Sequence, residues 1–272
     1  MKTLKIKFGL FSLLAILAVS VFLTSCEQET LPNLFSEENM DMKKEENKVE
    51  KEDIEQIISK MKPLPNGYIT LTKRMEELNI PDAELASMST KELTETVLNY
   101  KYLTLMHTRN DLQSGFDWLV ANYNGLQELI NREDAAEVIF KKYSDTPILG
   151  FSRSTAPGDK GRYSFKVMFL EILLAQESII SNLSSSSKSQ VAEVMFKNVE
   201  LKAKNNQVYG YYSIMAPALA VSRMLKMDSN SKILSDFGTG SELPTFIEKG
   251  QLTSPETIEY IFSIGADEYI KK

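Results

Sequence analysis

From Ser89 to Tyr269 the apolar residues of this chain recur three and four positions apart, and stretches of strict alternation are scarce. That period belongs to the α-helix, whose side chains share a face every 3.6 residues, and not to the strand, whose faces alternate. Leu93, Val97, Leu98 and Tyr102 form one stripe, and Leu112, Phe116, Leu119, Val120 and Tyr123 a wider one. Leu126, Leu129 and Ile130 make a short third. Ala136, Ile139, Phe140 and Tyr143 follow from Glu133, then Val191, Val194, Met195 and Val199, and last Ile258, Ile261, Phe262, Ala266 and Tyr269. Helix starts are marked. Ser89 with Glu92, and Ser187 with Gln190, have the spacing of a capping box, in which each side chain satisfies a free backbone N–H. Ser254, Pro255 and Glu256 supply an N-cap, a first-turn proline and a first-turn acid, while Asn124-Gly125 breaks the wide stripe. The expectation is an all-α fold.

Phe165 to Ala175 is apolar nearly all round, and at about eleven residues it is too short for a membrane span of about twenty. It reads as a central buried helix. Glu171 lies inside it, where an unpaired charge is expensive, so a buried ion pair is expected, with Arg223 as the proposed partner. A catalytic pair with Glu177 is disfavoured, because residues six apart point to different sides of one helix. Pro217 falls inside a helix expected from Tyr209 to Lys226 and should kink it. Pro147, Gly150, Pro157, Gly158 and Gly161 make 144–162 read as a linker or long loop that divides two helical halves. Two architectures fit: an irregular helical bundle, or a short superhelix of stacked hairpins of the HEAT-like or tetratricopeptide kind. No fixed repeat period is found, and the tetratricopeptide tryptophan-glycine-tyrosine pattern is missing.

The N-terminus has a different character. Lys2, Lys5 and Lys7 precede an apolar run from Phe8 to Leu23, about sixteen residues and short for a span, which ends in Leu23-Thr24-Ser25-Cys26. Leu23, Thr24, Ser25 and Cys26 together resemble the lipobox of a bacterial lipoprotein signal. The resemblance implies cleavage before Cys26, lipid on its thiol, and a mature chain held on a membrane by that anchor. An uncleaved anchor helix and an ordinary secretory signal are the competing readings. Several acyl chains give lasting attachment where one is marginal, at roughly 0.8 kcal/mol per buried methylene. Glu27, Gln28 and Glu29 resemble the export signals of surface lipoproteins in Bacteroidetes-type bacteria, which implies the outer membrane and its outer face; a periplasm-facing lipoprotein is the alternative. The organisation expected is a signal peptide at 1–25, a flexible charged tether at 26–53 or a solvated helix in its place, and a helical domain at 54–272. Ile54, Ile57, Ile58 and Met61 open that domain, and Pro63-Leu64-Pro65-Asn66-Gly67 makes a turn.

Charge and cysteine usage exclude several functions. The chain carries a net charge of −6 at pH 7, and loss of the three leader lysines would make it about −9. Phosphate backbones demand a basic face, so nucleic acid is not an expected partner, and adsorption to anionic lipid is equally disfavoured. Cys26 is the sole cysteine. Once acylated it leaves no thiol for disulfides, thiolate metal sites or nucleophilic catalysis. His107, the sole histidine, could serve a triad with Asp111 as orienter, but nothing positions a nucleophile and no Gly-x-Ser-x-Gly elbow occurs; a helix-end role is the simpler reading. No acidic calcium loop is present, and Gly238-Thr239-Gly240-Ser241 lacks the lysine of a phosphate loop. Tyr209, Tyr211 and Tyr212 could form an aromatic platform for a sugar or peptide, or pack into the core.

Met88-Ser89-Thr90-Lys91-Glu92-Leu93 through Leu98-Asn99-Tyr100, with Gly115-Phe116 and Asn124-Gly125-Leu126-Gln127-Glu128-Leu129, resembles a family of Bacteroidetes lipoproteins over about a quarter of the chain. That family has no established activity, so the resemblance implies source and address and assigns no residue a role. The expected function is a lipid-anchored extracytoplasmic helical module that binds or scaffolds, with no cofactor. Its partners are the membrane through Cys26 and a protein or glycan ligand. A carboxylate-based, glycan-active hydrolase and a purely structural envelope protein are the alternatives.

Overall fold

Residues 71–152, 154–235 and 242–271 are described by the computed structural model, and within them the chain forms helices and no strand. The signal, the tether, Cys26, the Pro63–Gly67 turn and Gly238–Ser241 lie outside these residues. The first helices are short: α1, Leu71–Glu76, and α2, Asp82–Ser87. Then α3, Thr90–Leu98, starts on the expected capping box, with Glu92 N–H donating to Ser89 Oγ at 3.2 Å and Ser89 N–H to the Glu92 carboxylate at 2.9 Å. The Ser89 hydroxyl also donates to that carboxylate, at 2.7 Å, and this bond with the one from Ser89 N–H holds the Glu92 carboxyl below its usual pKa. A 3₁₀ turn, Leu103–Thr108, leads to α4, Leu112–Asn122, which Asp111 caps by accepting from Ser114 N at 2.7 Å.

The Asn124-Gly125 break is one residue wide. Tyr123 alone is extended, and α5 resumes at once as Asn124–Asn131. The Asn124 amide fixes this corner by accepting from Ile80 N at 2.9 Å and donating to Ile80 O at 2.7 Å. Helix α6, Ala135–Ser144, buries Ala136, Ile139 and Tyr143 as the stripe requires.

Helix α7 runs from Pro157 to Leu174, so the loop expected over 144–162 ends six residues early. Proline at the first position is pre-organised for a helix, and Gly158 and Gly161 are carried within it. One hydrophobic core gathers buried residues from both sides of that loop, among them Leu93, Phe116 and Tyr143 before it and Phe169, Leu219 and Ile261 after it. The loop therefore connects halves of one core and does not separate two.

After a short α8, Glu177–Ile180, comes α9, Ser185–Lys204. Its cap is Ser184, whose Oγ accepts from Ser187 N at 3.0 Å, and not the expected Ser187 with Gln190. Helix α10, Tyr212–Met227, is followed by α11, Ser231–Ser235, α12, Leu243–Lys249, and α13, Pro255–Tyr269, capped by Ser254 as expected.

Every residue of α10 from Met215 to Leu225 is buried, so this helix has no solvent face along its middle. It packs against α7, α8, α9, α11, α12 and α13. Stacked repeats touch only their neighbours, whereas here α12 also meets α4, far away in sequence. The architecture is an all-α irregular bundle around α10. The buried half of α7, Val167–Leu174, lies directly on α10, and no helix among the described residues is long and apolar enough to cross a membrane. Close approach of elements explains two glycines. A Cβ on Gly115 would lie 2.2 Å from the Met106 carbonyl oxygen, and Gly250 takes φ of +61° at the end of α12, facing Leu112 and Leu219.

Candidate functional site

Glu171 is fully buried on α7, and its partner is Lys202 of α9 rather than Arg223. Lys202 Nζ donates to both carboxylate oxygens, at 2.7 and 2.6 Å, and Tyr143 Oη of α6 donates to Oε1 at 2.8 Å. Asn198, one turn before Lys202, opposes the rise that burial imposes on the Tyr143 phenol. Burial pushes the Glu171 carboxyl up from 4.5, while the ammonium and the phenol pull it back. The third Nζ hydrogen goes to the Ser213 carbonyl oxygen at 2.8 Å. That oxygen is free because residue 217, which would supply its helical N–H, is proline. The proline that interrupts the α10 hydrogen-bond ladder thus creates an acceptor for a buried ammonium.

Arg223 serves elsewhere. Its guanidinium donates to the carbonyls of Ile247 at 2.8 Å and Glu248 at 2.7 Å at the end of α12, and of Ala175 at 3.0 Å at the end of α7. Gln113 Oε1 accepts a fourth bond at 2.8 Å. A planar fork of donors tying two helix ends together is structural work, and carbonyl ends of helices favour a cation. Burial lowers the Arg223 pKa from its ordinary value, although Glu177 and Asp117 nearby oppose this. Glu177 is exposed, 3.6 Å from Lys226 in a small polar pocket, so it shares no site with Glu171.

A larger cleft of about 800 Å³ opens beside the buried cluster. Three stretches of chain wall it: the end of α3 with the 3₁₀ turn, the first half of α7, and the approach to α10. Ser213, whose carbonyl accepts a hydrogen bond from Lys202, is one of its lining residues, so the cluster stands immediately behind the wall. Its apolar surface comes from Leu98, Leu103, Phe165, Met168 and Val208, and its aromatic surface from Tyr100, Phe165 and Tyr212. Tyr100 stacks on Tyr123 at 3.8 Å between ring centroids, and burial pushes its phenol up to about 12.

His107 stands at the end of the 3₁₀ turn, the helix-end position expected, and its ring also lines this cleft. Its ring meets Phe165 edge-on at 5.1 Å and Tyr212 at 5.6 Å, with Nδ1 3.5 Å from the Tyr212 hydroxyl, a weak contact. The packing behind the ring lowers its pKa from the ordinary 6.5 by desolvation. Asp111 is occupied by Ser114 and does not orient the imidazole. Of the three tyrosines read as a platform or as core, only Tyr212 lines the cleft; Tyr209 is buried, and Tyr211 donates to the Thr253 carbonyl at 3.0 Å.

The charges of the cleft were missed from sequence. Lys101, Arg162 and Lys166 line it, and none of its lining residues is Asp or Glu. Lys166 Nζ is held at 2.6 Å by Asn99 Oδ1, a neutral amide. Lys101 rests 5.5 Å from the Tyr102 ring centroid. Among the described residues neither lysine is in an ion pair, and Arg162 has a 3.4 Å contact to the exposed Asp159. The i, i+3 and i+4 steps Gly158, Gly161, Arg162, Phe165 and Lys166 along α7 were the available signal, masked because the glycines were read as loop. Among the described residues no three of His, Cys, Asp and Glu gather to hold a metal ion.

No protein-family model matches the chain, and no curated protein or solved structure matches it either.

Proposed function

We propose that this chain is a binding module that captures a small ligand in the cleft between the 3₁₀ turn, α7 and α10, held at a membrane surface by lipid on Cys26. The observation that carries the reading is the cleft itself: about 800 Å³, within the range of small-molecule sites, with apolar and aromatic walls and a few convergent polar groups. A carboxylate-based hydrolase needs two acids facing each other across such a space, and this cleft is lined by none. The buried Glu171–Lys202 pair behind the wall supports the shape and does not face the ligand space. The lipobox resemblance of Leu23, Thr24, Ser25 and Cys26 supports the anchor, and Glu27 and Glu29 support the outer face of the outer membrane.

Two experiments test this. The full chain in detergent is screened by thermal shift against small acids, neutral sugars and amines, beside Gly161→Trp, whose indole would project into the cleft. At least one compound should raise the melting temperature of the wild type and not of the variant; a panel without effect contradicts the reading. For the anchor, cells fed an alkyne-tagged fatty acid should label the wild type and not Cys26→Ser.

A further inference from the structure

Resting on that reading, we infer that the ligand is a ring-bearing organic acid, with its carboxylate or phosphate among Lys101, Arg162 and Lys166 and its ring against His107, Phe165 and Tyr212. The local charge is the first ground. The chain as a whole is acidic, at −6, yet the cleft is lined by three cations and no acid. A concave surface of one sign concentrates ligands of the other, and here the walls also repel cations. The second ground is how the cations are held. Asn99 Oδ1 fixes Lys166 at 2.6 Å without cancelling its charge, as a carboxylate would. An ammonium positioned by a neutral acceptor is ready for an anion. The third is the aromatic wall. His107 meets Phe165 and Tyr212 edge-on, so three aromatic rings cluster on one side of the cleft, where a flat ring or the apolar face of a sugar can pack.

Open space is the fourth ground. Gly158, Gly161 and Gly210 all line the cleft, and a Cβ at any of them would find no other atom within 4 Å. No packing demand keeps these positions bare, so larger residues would fit the fold while filling the cleft. A lone inorganic ion would leave most of the 800 Å³ and all of the aromatic wall unused.

The test uses calorimetric titration of the full chain in detergent with four probes of one shape: benzoate, phenyl phosphate, benzyl alcohol and benzamidine. Benzoate or phenyl phosphate should bind, the stronger of the two identifying the acid group, while the cation benzamidine should not. Lys101→Gln/Lys166→Gln should weaken the acid about tenfold, equivalent to about 1.4 kcal/mol. Gly161→Trp should abolish it. Benzamidine or benzyl alcohol binding as tightly as benzoate, with the same block by Gly161→Trp, overturns the acid inference and leaves the binding module standing. Acid binding that the lysine double variant leaves unchanged also overturns it. No binding by any probe, joined to a silent thermal-shift panel, overturns both.

Discussion

Replacing Lys202 by Met removes one cation from the interior and strands two groups. Glu171 loses contacts at 2.7 and 2.6 Å, and the Ser213 carbonyl loses its donor at 2.8 Å. Breaking a buried pair from one side costs about 3–5 kcal/mol, because the remaining charge stays out of water unpaired. At about 2–4 °C per kcal/mol for a body of this size, the melting temperature should fall by about 6–20 °C. The loss should depend on pH, and its sign is fixed. Burial already raises the Glu171 carboxyl above 4.5, and without Lys202 it rises further. A folded-state pKa above the unfolded one gives stability that is complete below the unfolded value and lost as pH climbs through the folded one. The deficit of Lys202→Met should therefore be smallest near pH 5 and grow toward pH 8. Adding Glu171→Gln should recover about half of it, since the charge is gone. Adding Pro217→Ala should help separately, by giving Ser213 a helical N–H in place of the ammonium, worth about 1–3 kcal/mol less the cavity left by the ring. Thermal unfolding of the four proteins at pH 5, 6.5 and 8 measures all of this. A deficit under about 1 kcal/mol that does not change with pH would refute the reasoning.

Gly161→Ala should stabilise the protein by about 0.5–1 kcal/mol in chemical denaturation, since alanine is the better helix former and its methyl meets nothing. Gly115→Ala should do the opposite by more than about 2 kcal/mol, because the new Cβ would sit 2.2 Å from a backbone oxygen and the 3₁₀ turn must move. His107 has a folded pKa below 6.5, so it contributes stability above that pH that is lost as pH falls toward the folded value; His107→Gln should remove this part of the acid sensitivity.

The helical stripes and the caps at Ser89 and Ser254 were legible because they depend on neighbours within one turn. Ser184 to Ser187 shows where local reasoning thins: a serine run offers several equivalent caps, and the helix starts on Ser184. Glu171 was recognised as needing a partner, but a partner 31 positions away is set by how α9 crosses α7. A signal did exist. Val191, Met195, Asn198 and Lys202 continue one stripe at steps of 4, 3 and 4, so a lysine stood where the pattern asks for an apolar residue. The cleft was harder, since its three walls are distant in sequence and α7 announced its helical start with glycines that usually end helices. Glycine there costs helix propensity, and the open space in front of it is the return.

The central claim is that the cleft holds a ring-bearing acid, and the most direct measurement is a crystal of the full chain soaked in 4-bromobenzoate, recorded at the bromine absorption edge. The expected result is an anomalous peak against Phe165 and Tyr212, with the carboxylate turned toward Lys101, Arg162 and Lys166. A bromine peak elsewhere on the molecule, with the cleft empty in the same crystal, would contradict it.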